Sequence, residues 1–82
     1  MKTVILYTRP SCHLCEEARS KILSLRDQGL SFELREIDIE GDDELHRRFL
    51  ERIPVVMVDD RIVSELVLDW DALRSRLDTV RA

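Results

Sequence analysis

Apolar positions change their period several times along the chain, and each change marks an element. Thr3 to Tyr7 is an unbroken run of apolar and β-branched residues, which predicts a central strand covered on both faces. Arg9-Pro10-Ser11 ends that run. From about Cys12 to Asp27 the pattern turns helical, with Cys15, Ala18, Ile22 and Leu25 recurring on one stripe. Gln28-Gly29 closes this helix, glycine being suited to a left-handed stop. Ser31 to Asp38 begins by alternating, with Phe32 and Leu34 on one face and Glu33 and Arg35 on the other, as in a half-exposed edge strand.

Gly41-Asp42-Asp43 offers a cap and an acidic first turn for a short helix reaching about Glu51. Leu45 and Phe49 mark its inner face, and Glu44 precedes Arg48 at the spacing of a surface ion pair. Val55–Val58 and Arg61–Ser64 are β runs joined through Asp59-Asp60, which predicts a tight hairpin. Asp69 caps a last helix whose Trp70, Leu73, Leu77 and Val80 form one apolar stripe. The order β-α-β-α-β-β-α predicts a parallel pair from the first crossover and an antiparallel edge from the hairpin. Helices then cover a four-stranded mixed sheet, giving a three-layer α/β fold. No repeat, low-complexity tract or Ser/Gly-rich linker interrupts it, so residues 1–82 are expected to form a single domain.

Composition narrows the function classes. A chain of 82 residues supports one modest core, and 44% hydrophobic with 37% charged residues is globular. The net charge of −4 argues against a nucleic-acid module, which needs a clustered basic face. Apolar runs such as Val4–Tyr7 fall far short of the about 20 residues of a membrane helix. That run is also short for a signal peptide, and Arg9-Pro10 stands where a small-residue cleavage site belongs. A cytoplasmic location is therefore expected. In a reducing compartment a purely structural disulfide is disfavoured. Both cysteines lie in one C-x-x-C, Cys12 to Cys15, which points to redox chemistry or metal binding.

Cys12-His13-Leu14-Cys15 follows a buried strand and opens a helix. The unsatisfied N–H groups and positive dipole end of a helix favour a thiolate over a thiol. Arg9, just upstream, adds a second positive influence. Cys15 is near enough to close a disulfide with Cys12, and its place on the apolar stripe makes it the more buried of the two. An exposed nucleophile with a shielded resolving partner is what two-step thiol exchange requires. Zinc is the alternative, but it wants four ligands and only His13 and His46 remain. Two inert core thiols are the other.

Tyr7-Thr8-Arg9-Pro10-Ser11-Cys12-His13-Leu14-Cys15, followed by Ile53-Pro54-Val55, a hairpin and a helix, resembles the glutaredoxin-like branch of the thioredoxin fold. The resemblance spans essentially the whole chain. It implies that Pro54 is cis and faces the cysteines, and that the backbone of Ile53 receives the substrate. It also matches Arg9 to the family's basic residue upstream of the first cysteine. The plainer reading of Pro54 is the first residue of an edge strand. His13-Leu14 departs from the Pro-aromatic pair of ordinary glutaredoxins. Ser64-Glu65-Leu66 stands where they carry a Gly-Gly pair and an acidic residue, and it places the anionic Glu65 near a glutathione carboxylate. Arg52 is a second basic candidate. The resemblance thus supports disulfide exchange and gives no support to glutathione as the partner.

Other side chains admit plainer readings. His13 either modulates the thiolate or is a solvated loop residue. His46 is expected at the surface, Glu16 and Glu17 in a first turn, and Trp70 in the core. Arg47, Arg48 and Arg52, interleaved with Asp43, Glu44 and Glu51, form a solvated face. The expectation is a monomeric thiol–disulfide oxidoreductase that uses no cofactor. Cys12 attacks a disulfide in a protein or small molecule, Cys15 resolves the intermediate, and an external thiol or reductase resets the pair. A metal or iron–sulfur carrier and a non-catalytic binding module are the rival readings.

Overall fold

The structure, a computed structural model, describes residues 2–78 apart from the side chains of Trp70 and Asp78. In chain order the elements are β1 (Lys2–Thr8), α1 (His13–Asp27), β2 (Phe32–Asp38), a 3-10 turn (Ile39–Gly41), α2 (Asp43–Phe49), β3 (Val55–Val58), β4 (Arg61–Glu65) and α3 (Trp70–Asp78). The four strands form one sheet in the order β2-β1-β3-β4. β1 runs parallel to β2 and antiparallel to β3, and β4 pairs antiparallel with β3. β1 is therefore central and β2 an edge, as their patterns predict.

Alternation along the central strands sorts side chains to opposite faces. Val4 and Leu6 of β1 and Val56 and Val58 of β3 pack with Ala18, Ile22 and Leu25 of α1 and Leu73 and Leu77 of α3. Tyr7, Val55 and Met57 face the other way, toward Phe49 and Leu45 of α2 and Ile39 of the turn. Helix pair, sheet and single helix make the three expected layers.

Local chemistry accounts for the element ends. Asp59 and Asp60 both adopt left-handed φ, 47° and 69°, as a two-residue hairpin of the primed type requires. Beyond that turn a bulge between Val56 and Met57 leaves Val63 as an extra residue on β4. Gly29 takes φ 94° just past α1. Asp69 caps α3 by accepting from the Ala72 N–H at 3.0 Å. Val80 and the Trp70 side chain, two members of the expected last stripe, lie outside the described residues.

Two expectations need correction, and one element was not expected. α2 stops at Phe49 rather than near Glu51, and the chain turns from there toward β3. The N–H groups of Arg52 and Ile53 both close on the Phe49 carbonyl, at 2.8 and 3.0 Å. The Ile39–Gly41 turn was not expected; the Asp38 carboxylate accepts from the Glu40 N–H at 2.8 Å and starts it. Among the described residues no ion pair joins Glu44 to Arg48, whose guanidinium instead lies 5.0 Å from the centre of the Phe49 ring.

Candidate active site

β1 delivers the chain to the end of the sheet, and Ser11, at φ 59°, turns it into α1. Cys12 is the N-cap of that helix, one position before its first turn, with extended backbone at φ −111° and ψ 106°. Its sulfur does what a serine or aspartate oxygen does at such a position: it accepts from the Cys15 N–H, at 3.2 Å. The first helical hydrogen bond, Glu16 N–H to the Cys12 carbonyl at 3.1 Å, closes the same turn. Cys12 and Cys15 are joined as a disulfide with Cα atoms 5.2 Å apart, an ordinary separation for one. Cys15 is 3% exposed, and Cys12 is half-buried rather than open.

Cys15 shares the α1 stripe with Ala18, Ile22 and Leu25 but not their core. It packs with Ile39, Phe49, Ile53 and Val55, and Cys12, Tyr7, Leu45 and Met57 close around that group. The Tyr7 and Phe49 rings are 4.8 Å apart and tilted by 34°. The Ile53-Pro54 peptide bond is cis, and Pro54 is fully buried. Ile53 is thus brought to the cysteines, although its N–H is already engaged with the Phe49 carbonyl.

The charged candidates sit farther out. Arg9 is exposed on the loop between β1 and α1. The His13 side chain is 97% exposed and leans along the helix, its Nδ1 3.9 Å from a Glu16 carboxylate oxygen. His46 is half-buried on α2, more covered than its expected surface place.

The β4–α3 loop forms another wall. Glu65 lies opposite Val55 in the strand register and therefore shares the cysteine-side face of the sheet. Its carboxylate is 3.8 Å from the Arg52 guanidinium, a pairing hidden from sequence patterns because the partners lie on separate elements. Leu66 holds φ 64°, a conformation uncommon for a bulky residue, while its N–H donates to the Arg52 carbonyl at 2.9 Å. Ser64, buried, ties the loop down: its hydroxyl donates to the Val67 carbonyl (3.1 Å) and accepts from the Asp69 N–H (2.8 Å). The positive φ at Leu66 had no sequence signal, since glycine or asparagine is the usual marker.

Among the described residues no helix is long and apolar enough to cross a membrane. None of their His, Cys, Asp and Glu side chains gather in groups of three or more that could hold a metal ion.

A family model described as "Glutaredoxin-like domain (DUF836)" matches residues 3–78. The chain is 32% identical over 79 residues to the glutaredoxin-like protein YDR286C homolog of Dictyostelium discoideum, covering 90% of this chain and 73% of that protein. Its structure is similar to the solution structure of protein Ne2328 from Nitrosomonas europaea, with a TM-score of 0.82, 32% identity, and 93% and 91% of the two chains covered. Oxidised mitochondrial thioredoxin 3 from Saccharomyces cerevisiae superimposes with a TM-score of 0.67 over 95% of this chain and 77% of its own, at 13% identity, a likeness of fold alone.

Proposed function

The chain belongs to the glutaredoxin-like family of the thioredoxin fold, and on that premise we propose that it is a thiol–disulfide oxidoreductase working by dithiol exchange at Cys12 and Cys15. The observation that carries this reading is the disulfide at the N-terminus of α1, with the half-buried sulfur capped by the buried partner's N–H. In the reduced protein the same N–H and the helix dipole favour negative charge on Cys12, because a hydrogen bond to a thiolate is charge-assisted.

The Cys12 thiolate attacks one sulfur of a substrate disulfide; a Cys12–substrate bond forms, the substrate bond breaks, and the departing thiolate takes a proton. Cys15 then gives up its proton and attacks Cys12. The second substrate thiol leaves, and the 12–15 disulfide holds the two electrons' worth of oxidation. An external thiol or reductase returns the pair to the dithiol, and a reducing cytoplasmic compartment suits that cycle. Substrates are disulfide-bearing proteins or small molecules, and the chain acts as a monomer. Ile53 and Pro54 form the docking edge; because the Ile53 N–H is occupied, its carbonyl is the group left to meet a substrate backbone. Arg9 acts as a distant positive charge, and His13, turned toward Glu16, as at most a modulator.

Trapping is the direct test. Cys15→Ser should accumulate a mixed disulfide with substrate, and Cys12→Ser should not. In reduced wild type, mass-resolved alkylation should label Cys12 faster than Cys15. Faster labelling of Cys15, or turnover by Cys12→Ser, would overturn the assignment. Visible absorbance or bound metal in the purified protein would favour the carrier reading instead.

A further inference from the structure

The C-terminal end of α2 carries charge that the exchange chemistry does not use. Arg47, Arg48 and Arg52, three of the chain's 13 lysines and arginines, fall within six positions of a protein whose net charge is −4. The fold places them at the opposite end of α2 from Asp42, Asp43 and Glu44. Asp42 caps α2 and Asp43 and Glu44 occupy its first turn, while His46, Arg47 and Arg48 occupy its last. There His46, Arg47, Arg48, Leu50, Glu51 and Arg52 line a cavity of about 420 Å³, with Glu51 as its one carboxylate.

Among the described residues neither Arg47 nor Arg48 has a carboxylate within ion-pair distance, and Arg52 has only the exposed Glu65. A helix C-terminus favours nearby cations, which accounts for basic residues in the last turn but not for Arg52 beyond it or for the cavity. Packing links the wall of this cavity to the group around the disulfide. Arg48 lies over Phe49, Phe49 stacks on Tyr7, and both rings belong to the group around Cys15. Arg52 directly precedes Ile53.

We propose that this groove docks an acidic stretch of the protein whose disulfide is exchanged at Cys12, a substrate with Asp or Glu residues within a few positions of its cysteine. The inference rests on the dithiol reading and adds a substrate class to it. Guanidinium groups match carboxylates with paired hydrogen bonds. A localised positive patch on an acidic protein steers such a partner into one orientation and speeds encounter, an effect that salt weakens.

The test uses the whole chain and three disulfide peptides identical except for Glu, Gln or Lys beside the cysteine, in a dithiol-driven assay. Wild type should show kcat/KM about tenfold higher for the Glu peptide than for the Gln peptide at low salt, the low end of electrostatic steering, and the advantage should shrink as salt is added. Arg47→Gln/Arg48→Gln should erase the advantage, and Arg47→Glu/Arg48→Glu should transfer it to the Lys peptide. Equal rates for all three peptides in wild type would overturn the docking proposal and leave exchange at Cys12 intact. No turnover of any peptide would overturn the dithiol reading beneath it. A preference for Glu that survives charge reversal would move the site elsewhere.

Discussion

The two faces of the sheet differ in how much they bury and in what they bury. Against α1 and α3 lies a core, aliphatic apart from Phe32, in which Val4, Leu6, Ile22, Leu25 and Leu73 are all fully enclosed. Against α2, a helix of seven residues, the buried group is smaller and contains Cys15, while Tyr7, Cys12, Leu45 and Met57 are only partly covered. A short helix cannot seal its side of the sheet. That incomplete cover is what a thiol reaction needs, since the attacking sulfur must meet a partner molecule while the resolving sulfur stays shielded. The larger buried core lies on one face and the cysteine pair on the other.

Substitutions can break this division or sharpen it. Ile22→Ala, on the thick face, should cost about 4 kcal/mol, because the enclosed site has little room to collapse around the lost side chain. Denaturant unfolding measures that loss, and the ratio of Cys12 to Cys15 alkylation in the folded protein should stay unchanged. Phe49→Ala, on the thin face, should cost nearer to about 3 kcal/mol and should also raise the alkylation rate of reduced Cys15, whose cover it removes. If Ile22→Ala shifts the alkylation ratio as much as Phe49→Ala does, the faces are not separate in function.

Asp42→Ala removes the carboxylate that accepts from the Glu44 and Leu45 N–H groups at 2.9 and 3.1 Å. It should cost about 1 kcal/mol, with earlier amide exchange in α2 than in α1. Simultaneous loss of protection in both helices would show that the two layers unfold as one unit.

The smallest effect is expected at the rim of the thin face. Glu65 puts an anionic side chain on the cysteine-side face, so glutathione-coupled turnover should be weak beside a dithiol-driven assay. Arg52 already offsets part of the Glu65 charge from 3.8 Å. Glu65→Gln should therefore raise the glutathione rate by less than about fivefold, equivalent to the 1 kcal/mol upper range of exposed ion pairs, and more at low salt than at high. A gain well above that would mean Glu65 alone controls thiol choice.

Local pattern was enough for much of this molecule. The β1 strand, buried at Val4 and Leu6 but only half-covered at Thr3, Ile5 and Tyr7, the α1 stripe, the Asp59-Asp60 turn and the Asp69 cap each depend on neighbours within one turn or one strand, so spacing and residue type determine them. The cysteine pair is legible for the same reason: helical geometry alone brings the N-cap and the third residue after it within disulfide reach. Tertiary packing decided the rest. Cys15 follows the period of Ala18 and Ile22 yet joins the α2-side group, because at the start of α1 its surroundings come from the ends of β1 and β3. The Arg52–Glu65 pair, the left-handed Leu66 and the engaged Ile53 N–H all arise where the α2–β3 and β4–α3 connections meet. Periodicity tells which side of an element turns inward; which other element waits there depends on contacts between residues far apart in the chain.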